Sequence, residues 1–152
     1  MQTRNLNVPF NGGVLAGFNF EDLPIEAARL AAVMQIDQAA DLARASVVSD
    51  PLRAFEHQKA AIEARAFAAE SYAGEVPPYV QVWADAAELE PRAAADSIIA
   101  QAKSWDQVLL ALRAARLKGK QDIQKAVAHG VVEATCDEAI DAINSVTAQL
   151  SL

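Results

Sequence analysis

Residues 91–126 read PRAAADSIIAQAKSWDQVLLALRAARLKGKQDIQKA, and their periodicity decides the fold. Ile98, Ala102, Trp105, Leu109 and Leu112 follow one another at alternating steps of four and three. The register continues through Arg116 and Gly119 to Ile123 and Ala126. Spacing of this kind keeps one face of an α-helix turned towards a neighbour, so the stretch predicts a long helix with a coiled-coil-like seam, opened by Pro91. Ser104 with Gln107 forms a capping-box pattern that would split the segment; the continuous reading is preferred. Gly119 in mid-helix costs about 1 kcal/mol relative to alanine, which predicts either a bend or the close approach of another backbone.

On the N-terminal side of this helix, Glu75-Val76-Pro77-Pro78 reads as a hinge, because a residue before proline is pushed out of the helical region. Between them, Tyr79 to about Leu89 forms a short helix carrying Val80 and Trp83. Asp50-Pro51 is an Asx cap followed by proline in the first turn. A helix runs from there to about Ala73, with Leu52, Phe55, Ile62, Ala66 and Ala69 on one side and Gly74 as its stop. Asp22 as N-cap and Pro24 in the first turn start an earlier helix, from Ile25 to about Val47, with Val33, Ile36, Ala40, Ala43 and Val47 spaced by three and four. A very short turn around Ser49 predicts that these two helices form an antiparallel hairpin. At the other end, His129-Gly130 marks a stop. Thr135 with Glu138 makes a capping box for a last helix bearing Ile140, Ile143, Val146 or Thr147, and Leu150.

Residues 1–20, MQTRNLNVPFNGGVLAGFNF, hold three of the six glycines and three of the five phenylalanines and almost no charge. Asn11-Gly12-Gly13 between two apolar runs predicts a hairpin turn, and Pro9 confines the first run to an edge strand or extended arm. A lone two-stranded hairpin is marginally stable, so Phe10, Phe18 and Phe20 need a surface to pack on, in the helical body or a neighbouring chain. The fold expected is mainly α: an elongated helical hairpin or bundle of four to five helices with a short extended or β-hairpin N-terminal arm. Its parts are a docking arm (1–20), a helical hairpin (22–73) and a segment with the long seam helix and a C-terminal helix (75–152).

Composition agrees with one such unit. The chain has 152 residues, of which 53% are hydrophobic but only 6% aromatic, and alanine makes up about a fifth. Alanine seams let helices approach closely but bury little apolar area per residue, so a thin monomeric bundle gains from association. No apolar run approaches the roughly 20 residues of a membrane span, one cysteine cannot form an internal disulfide, and no secretory leader pattern opens the chain.

Thirteen basic against twenty acidic residues give a net charge of −7, which opposes non-specific binding of nucleic acid. Arg113, Arg116, Lys118, Lys120 and Lys125 cluster in one helical half, a solvated or partner-facing basic face. Metal-ligand spacing is absent: there is no CxxC, HxxxH or HExxH around His57, His129 and Cys136. A helix N-terminus lowers a thiol pKa, yet Cys136 reads better as a small core residue. Neither a GxSxG nor a phosphate-binding glycine loop occurs, and the acidic pairs Glu21-Asp22, Glu88 with Glu90, and Asp137-Glu138 sit at helix ends, where the dipole accounts for them. No catalytic residue, cofactor, metal or small-molecule substrate is expected.

The stretches GEVPPYVQVWADAA (74–87) and PRAAADSIIA (91–100), then Trp105 and RAARLKGK (113–120), carry a resemblance. Together they are similar to a family of small tail-associated proteins encoded beside tail-fibre and baseplate genes in tailed bacteriophages and prophages. In that family a VP…V..WA pattern precedes a P..AAD.I helix that continues to W…R..R…K. The likeness covers about a third of the chain, residues 74–125, and brings no catalytic residues. It implies a virion location in the tail, with the host cytoplasm as the place of assembly, and partners that are further copies of the chain and other tail or fibre proteins, with neither nucleic acid nor membrane. Partner contacts are then expected at Phe10, Phe18, Phe20, Trp83, Ile98, Trp105, Leu109, Leu112, Arg113 and Arg116. Whether the seam helix self-associates or buries its seam within its own chain stays open. A tail-assembly chaperone absent from the finished particle is the alternative, and a small acidic regulator or antitoxin-like binder is a third reading.

Overall fold

Asn11 and Gly12 both take positive φ, 50° and 78°, the combination that a two-residue type I′ turn demands. The turn joins β1 (Leu6–Phe10) to β2 (Gly13–Phe18) in a two-stranded antiparallel sheet, with Val8 opposite Leu15, Pro9 opposite Val14 and Phe10 opposite Gly13. A computed structural model supplies this description, for residues 1–48 and 50–148. Alternation puts Leu6 and Val8 inside and Asn7 and Pro9 outside. Pro9 stands in the non-hydrogen-bonded pair next to the turn, so its missing N–H blunts the outer edge of β1 and leaves β2 with the more complete free edge.

A 3₁₀ turn, Phe20–Asp22, leads into α1 (Ile25–Val47). Asp22 is not the cap that its position suggested. It lies inside the turn, accepting from Asn19 Nδ2 at 3.1 Å, and the first helical carbonyl is that of Pro24, which accepts from the Ala28 N–H at 2.8 Å. Asp50 does cap α2 (Pro51–Ala69), accepting from the Leu52 N–H at 2.8 Å. That helix ends short of Gly74 because an aromatic anchor draws the chain away: Ser71 and Tyr72 take positive φ and the Tyr72 ring meets Phe67 edge-on at 5.6 Å. The Tyr72 hydroxyl also donates to Asp96 at 2.5 Å.

After the Pro77-Pro78 hinge comes α3 (Pro78–Ala87), closed by Glu88 in a left-handed conformation. The long helix α4 (Pro91–Lys125) runs unbroken through Ser104, as its periodicity predicts. The last helix, α5 (His129–Ala148), starts well before the Thr135/Glu138 box. Packing overrides that local signal: Val132, Cys136, Ala139 and Ile143 form one buried stripe, and the helix must begin early enough to include Val132. The expected turn at Ser49 and the expected apolar contact at Leu150 lie outside the described residues. No helix among the described residues is long and apolar enough to cross a membrane.

Two compact units emerge from the packing, and they cut across the partition by composition. The first unites Met1–Ser46 with Leu109–Leu152, and the second is Val47–Val108. In the first unit the hairpin contributes Leu6 and Val8, α1 contributes Ala28, Ala32 and Ile36, and Leu112, Ile123, Val132 and Ile143 complete a fully buried set from α4 and α5. Gly119 is the point of closest approach: a Cβ built there would lie 2.5 Å from the Ala139 Cβ and 3.3 Å from Ile36 Cδ1. Of the two outcomes that its mid-helix position allowed, the structure selects the close neighbour. The second unit has a smaller core of Ala64, Phe67, Val80, Ala84, Ala94 and Ala95, four of the six being alanine.

Candidate functional site

The residues expected to meet partners divide between the two units. In the first, Phe20 is only 2% exposed and its ring meets His129 edge-on at 5.8 Å, so it serves the chain's own core. Phe10 is half-buried, whereas Phe18 at the end of β2 is 37% exposed. Leu112 is fully buried and Leu109 partly so. Arg113 is exposed, but Arg116 donates from Nε to Asp37 Oδ1 at 2.6 Å, and Lys120 reaches Asp37 Oδ2 at 2.7 Å. Burial disfavours the Asp37 carboxylate, yet the bonds from Lys120 and Arg116 outweigh it and hold its pKa below the ordinary value. Lys118 and Lys125 both pair with Asp122. Four of the five basic residues in this stretch thus have an acidic partner, but they share only Asp37 and Asp122 between them, so the stretch keeps a net positive charge.

In the second unit, Trp83 is 44% exposed and donates from its indole N–H to Ser97 Oγ at 2.8 Å. Ile98 packs at the edge of the alanine-rich core. Trp105 stacks on His57 with centroids 4.5 Å apart and rings 21° from parallel. The α4 seam is therefore used inside the chain over both its halves.

Sequence reasoning grouped Leu52, Phe55, Ile62, Ala66 and Ala69 correctly on one side of α2, but that side faces outwards. Leu52 is 75%, Phe55 56% and Ile62 58% exposed. Inward, α2 presents Ala61, Ala64 and Phe67. Small residues sit inside because α3 and α4 bring Ala84, Ala94 and Ala95 to the same cluster, a spacing that larger side chains would prevent. A second stripe, Ala61-Ala64-Phe67-Ala68, was visible in the sequence; a preference for small residues at close helix contacts is the signal that would have chosen it. The short helix α3 adds exposed Val82 beside Trp83. It is tied to α2 through the Tyr79 N–H, which donates to Glu63 Oε2 at 2.8 Å.

Cys136 and His129 are both engaged in structure. The Cys136 thiol points at the Ala32 carbonyl oxygen at 3.6 Å, and burial pushes its pKa up to about 11, so the thiolate is suppressed. A cavity of about 640 Å³ at the start of α5 is lined by Arg4, Glu21, His129 and Glu133 among others. Its imidazole is committed at Nε2 to the Leu23 carbonyl at 2.8 Å. Among the described residues no group of three or more His, Cys, Asp or Glu side chains is placed to hold a metal ion. Large apolar side chains are exposed on several elements, among them Leu42, Val82 and Leu110, and on α2 three of them, Leu52, Phe55 and Ile62, share one side. Comparison with protein-family models, curated proteins and solved structures returns no match for this chain.

Proposed function

We propose that this chain is a non-enzymatic structural component of a bacteriophage tail, seated near the tail fibre or baseplate, which holds neighbouring chains through exposed helix and hairpin surfaces. The observation that carries the assembly role is the inverted distribution on α2: Leu52, Phe55 and Ile62 face solvent while the unit's own core is mostly alanine. Burying each of those side chains is worth roughly 1.5–3 kcal/mol, a gain that the chain alone forgoes and a neighbour would recover. The free edge of β2, with Phe18 beside it, offers a second attachment by strand addition. Phe20, Leu6 and Val8 are occupied internally and take no part in it.

The placement in a phage tail rests on the resemblance of residues 74–125. An elongated bundle of the five helices belongs to the same proposal, and small-angle scattering of the purified chain tests that shape. The same surfaces would suit a tail-assembly chaperone that leaves before the particle is complete. Quantitative mass spectrometry of purified particles separates the two: a structural component is present at fixed stoichiometry to the fibre or baseplate proteins, whereas absence from particles but presence in the lysate overturns the structural reading in favour of the chaperone.

A further inference from the structure

The outward side of α2 has the order of a coiled-coil seam. Leu52, Phe55, Lys59, Ile62, Ala66 and Ala69 occupy successive a and d positions, so the apolar line runs along the helix axis for about 25 Å at 1.5 Å per residue. Lys59 interrupts it, with its ammonium over the Phe55 ring at 4.9 Å from the centroid. A second helix packed alongside presents side chains at matching spacing over such a length.

Charge selects which helix. The e positions beside this seam are Glu56, Glu63 and, at the helix end, Glu70; Glu63 already accepts from the Tyr79 N–H, and on the opposite edge the g-position Arg65 is paired with Asp106. The unit as a whole, Val47–Val108, contains ten acidic and five basic residues, so it carries −5 of the chain's −7. A second copy of α2 is poorly matched. In an antiparallel pair the glutamate edges would face each other, and in a parallel pair Lys59 would meet Lys59 in its own layer; like charges at these positions oppose association.

We infer that the α2 seam receives an amphipathic helix of a different chain, apolar along its contact line and flanked by lysine or arginine. This deepens the proposed function by naming the chemistry of one partner, and it rests on that reading only in treating α2 as an interface. Apolar burial supplies the affinity, and the acidic edge supplies selection and faster encounter, so binding weakens with salt.

The test uses the full-length chain and fluorescence anisotropy of two labelled synthetic helices of three heptads, both with leucine at a and d, one with lysine and one with glutamate at e and g. The lysine helix is expected to bind at least tenfold more tightly than the glutamate helix. Phe55→Asp and, separately, Leu52→Asp should each weaken it at least tenfold while circular dichroism stays unchanged, and Glu56→Lys with Glu70→Lys should reverse the preference. Equal affinity for both helices, or lysine-helix binding indifferent to Phe55→Asp and Leu52→Asp, overturns the inference. Sedimentation showing self-association of the full chain that Phe55→Asp abolishes also overturns it, because the occupant is then a second copy. Failure of either kind leaves the tail assignment standing if the chain is stoichiometric in particles. Conversely, its absence from particles leaves the charge-selective binding intact.

Discussion

Gly119 shows how much one residue can report. Its mid-helix position announced an exceptional contact, and the neighbour proves to be Ala139 on α5, with no room for a second methyl. Gly119→Ala gains helix propensity of about 1 kcal/mol but must push α5 away, since the opposing atom is itself a Cβ fixed to backbone. A net loss on the order of 1–3 kcal/mol is expected in urea unfolding, with partial recovery when Ala139→Gly is added. Asp37 is a second informative residue, paired with Arg116 and Lys120 at side-chain exposures of 32%, 26% and 27%. Its folded pKa lies below the ordinary 3.8, so the stabilisation is fully present above that value and is lost as pH falls through the folded pKa. Asp37→Asn should cost on the order of 1 kcal/mol at neutral pH, and the gap to the parent chain should close in acid. Stability curves that run parallel from neutral pH down to about pH 2 would contradict this assignment. The triad was not legible in the sequence, where Arg116 appeared only as one member of a basic run. Its partner lies 79 residues away.

At the scale of elements, helix existence was written in the periodicity and several boundaries were not. The seam of α4 and the Asp50-Pro51 start of α2 are local signals that packing reinforces. The start of α5 and the end of α2 are decided by distant partners: the buried Val132 stripe in one case, the Tyr72 ring and hydroxyl in the other. The hairpin was legible from Asn11-Gly12, but which of its phenylalanines remains available was not, because Phe18 and Phe20 are alike in sequence and differ only in what covers them. Phe20→Ala should destabilise the chain by about 3–5 kcal/mol in thermal or urea unfolding, as loss of a core aromatic does. Phe18→Ser should change stability by less than about 1 kcal/mol, and any effect on assembly is then attributable to the surface. Similar losses for both would mean that the outer end of β2 belongs to the core.

On the scale of the whole molecule, the pairing of many apolar residues with few aromatics acquires a location. Alanine forms the interior of the second unit, and leucine, phenylalanine and isoleucine of α2 lie outside it. A stripe read from sequence states which residues share a side; it does not state whether the neighbour on that side is in the same chain. That is why the α2 stripe was legible as a group and its outward orientation was not. Acidity is concentrated in the same unit, and on the proposed reading charge then takes part in partner choice. If this chain joins a tail particle through the outward side of α2, as proposed, the copy number of a Phe55→Asp variant in purified particles will show it. The variant should accumulate folded in the lysate at parental level and fall at least tenfold in the particles. Incorporation at the parental copy number would contradict the claim.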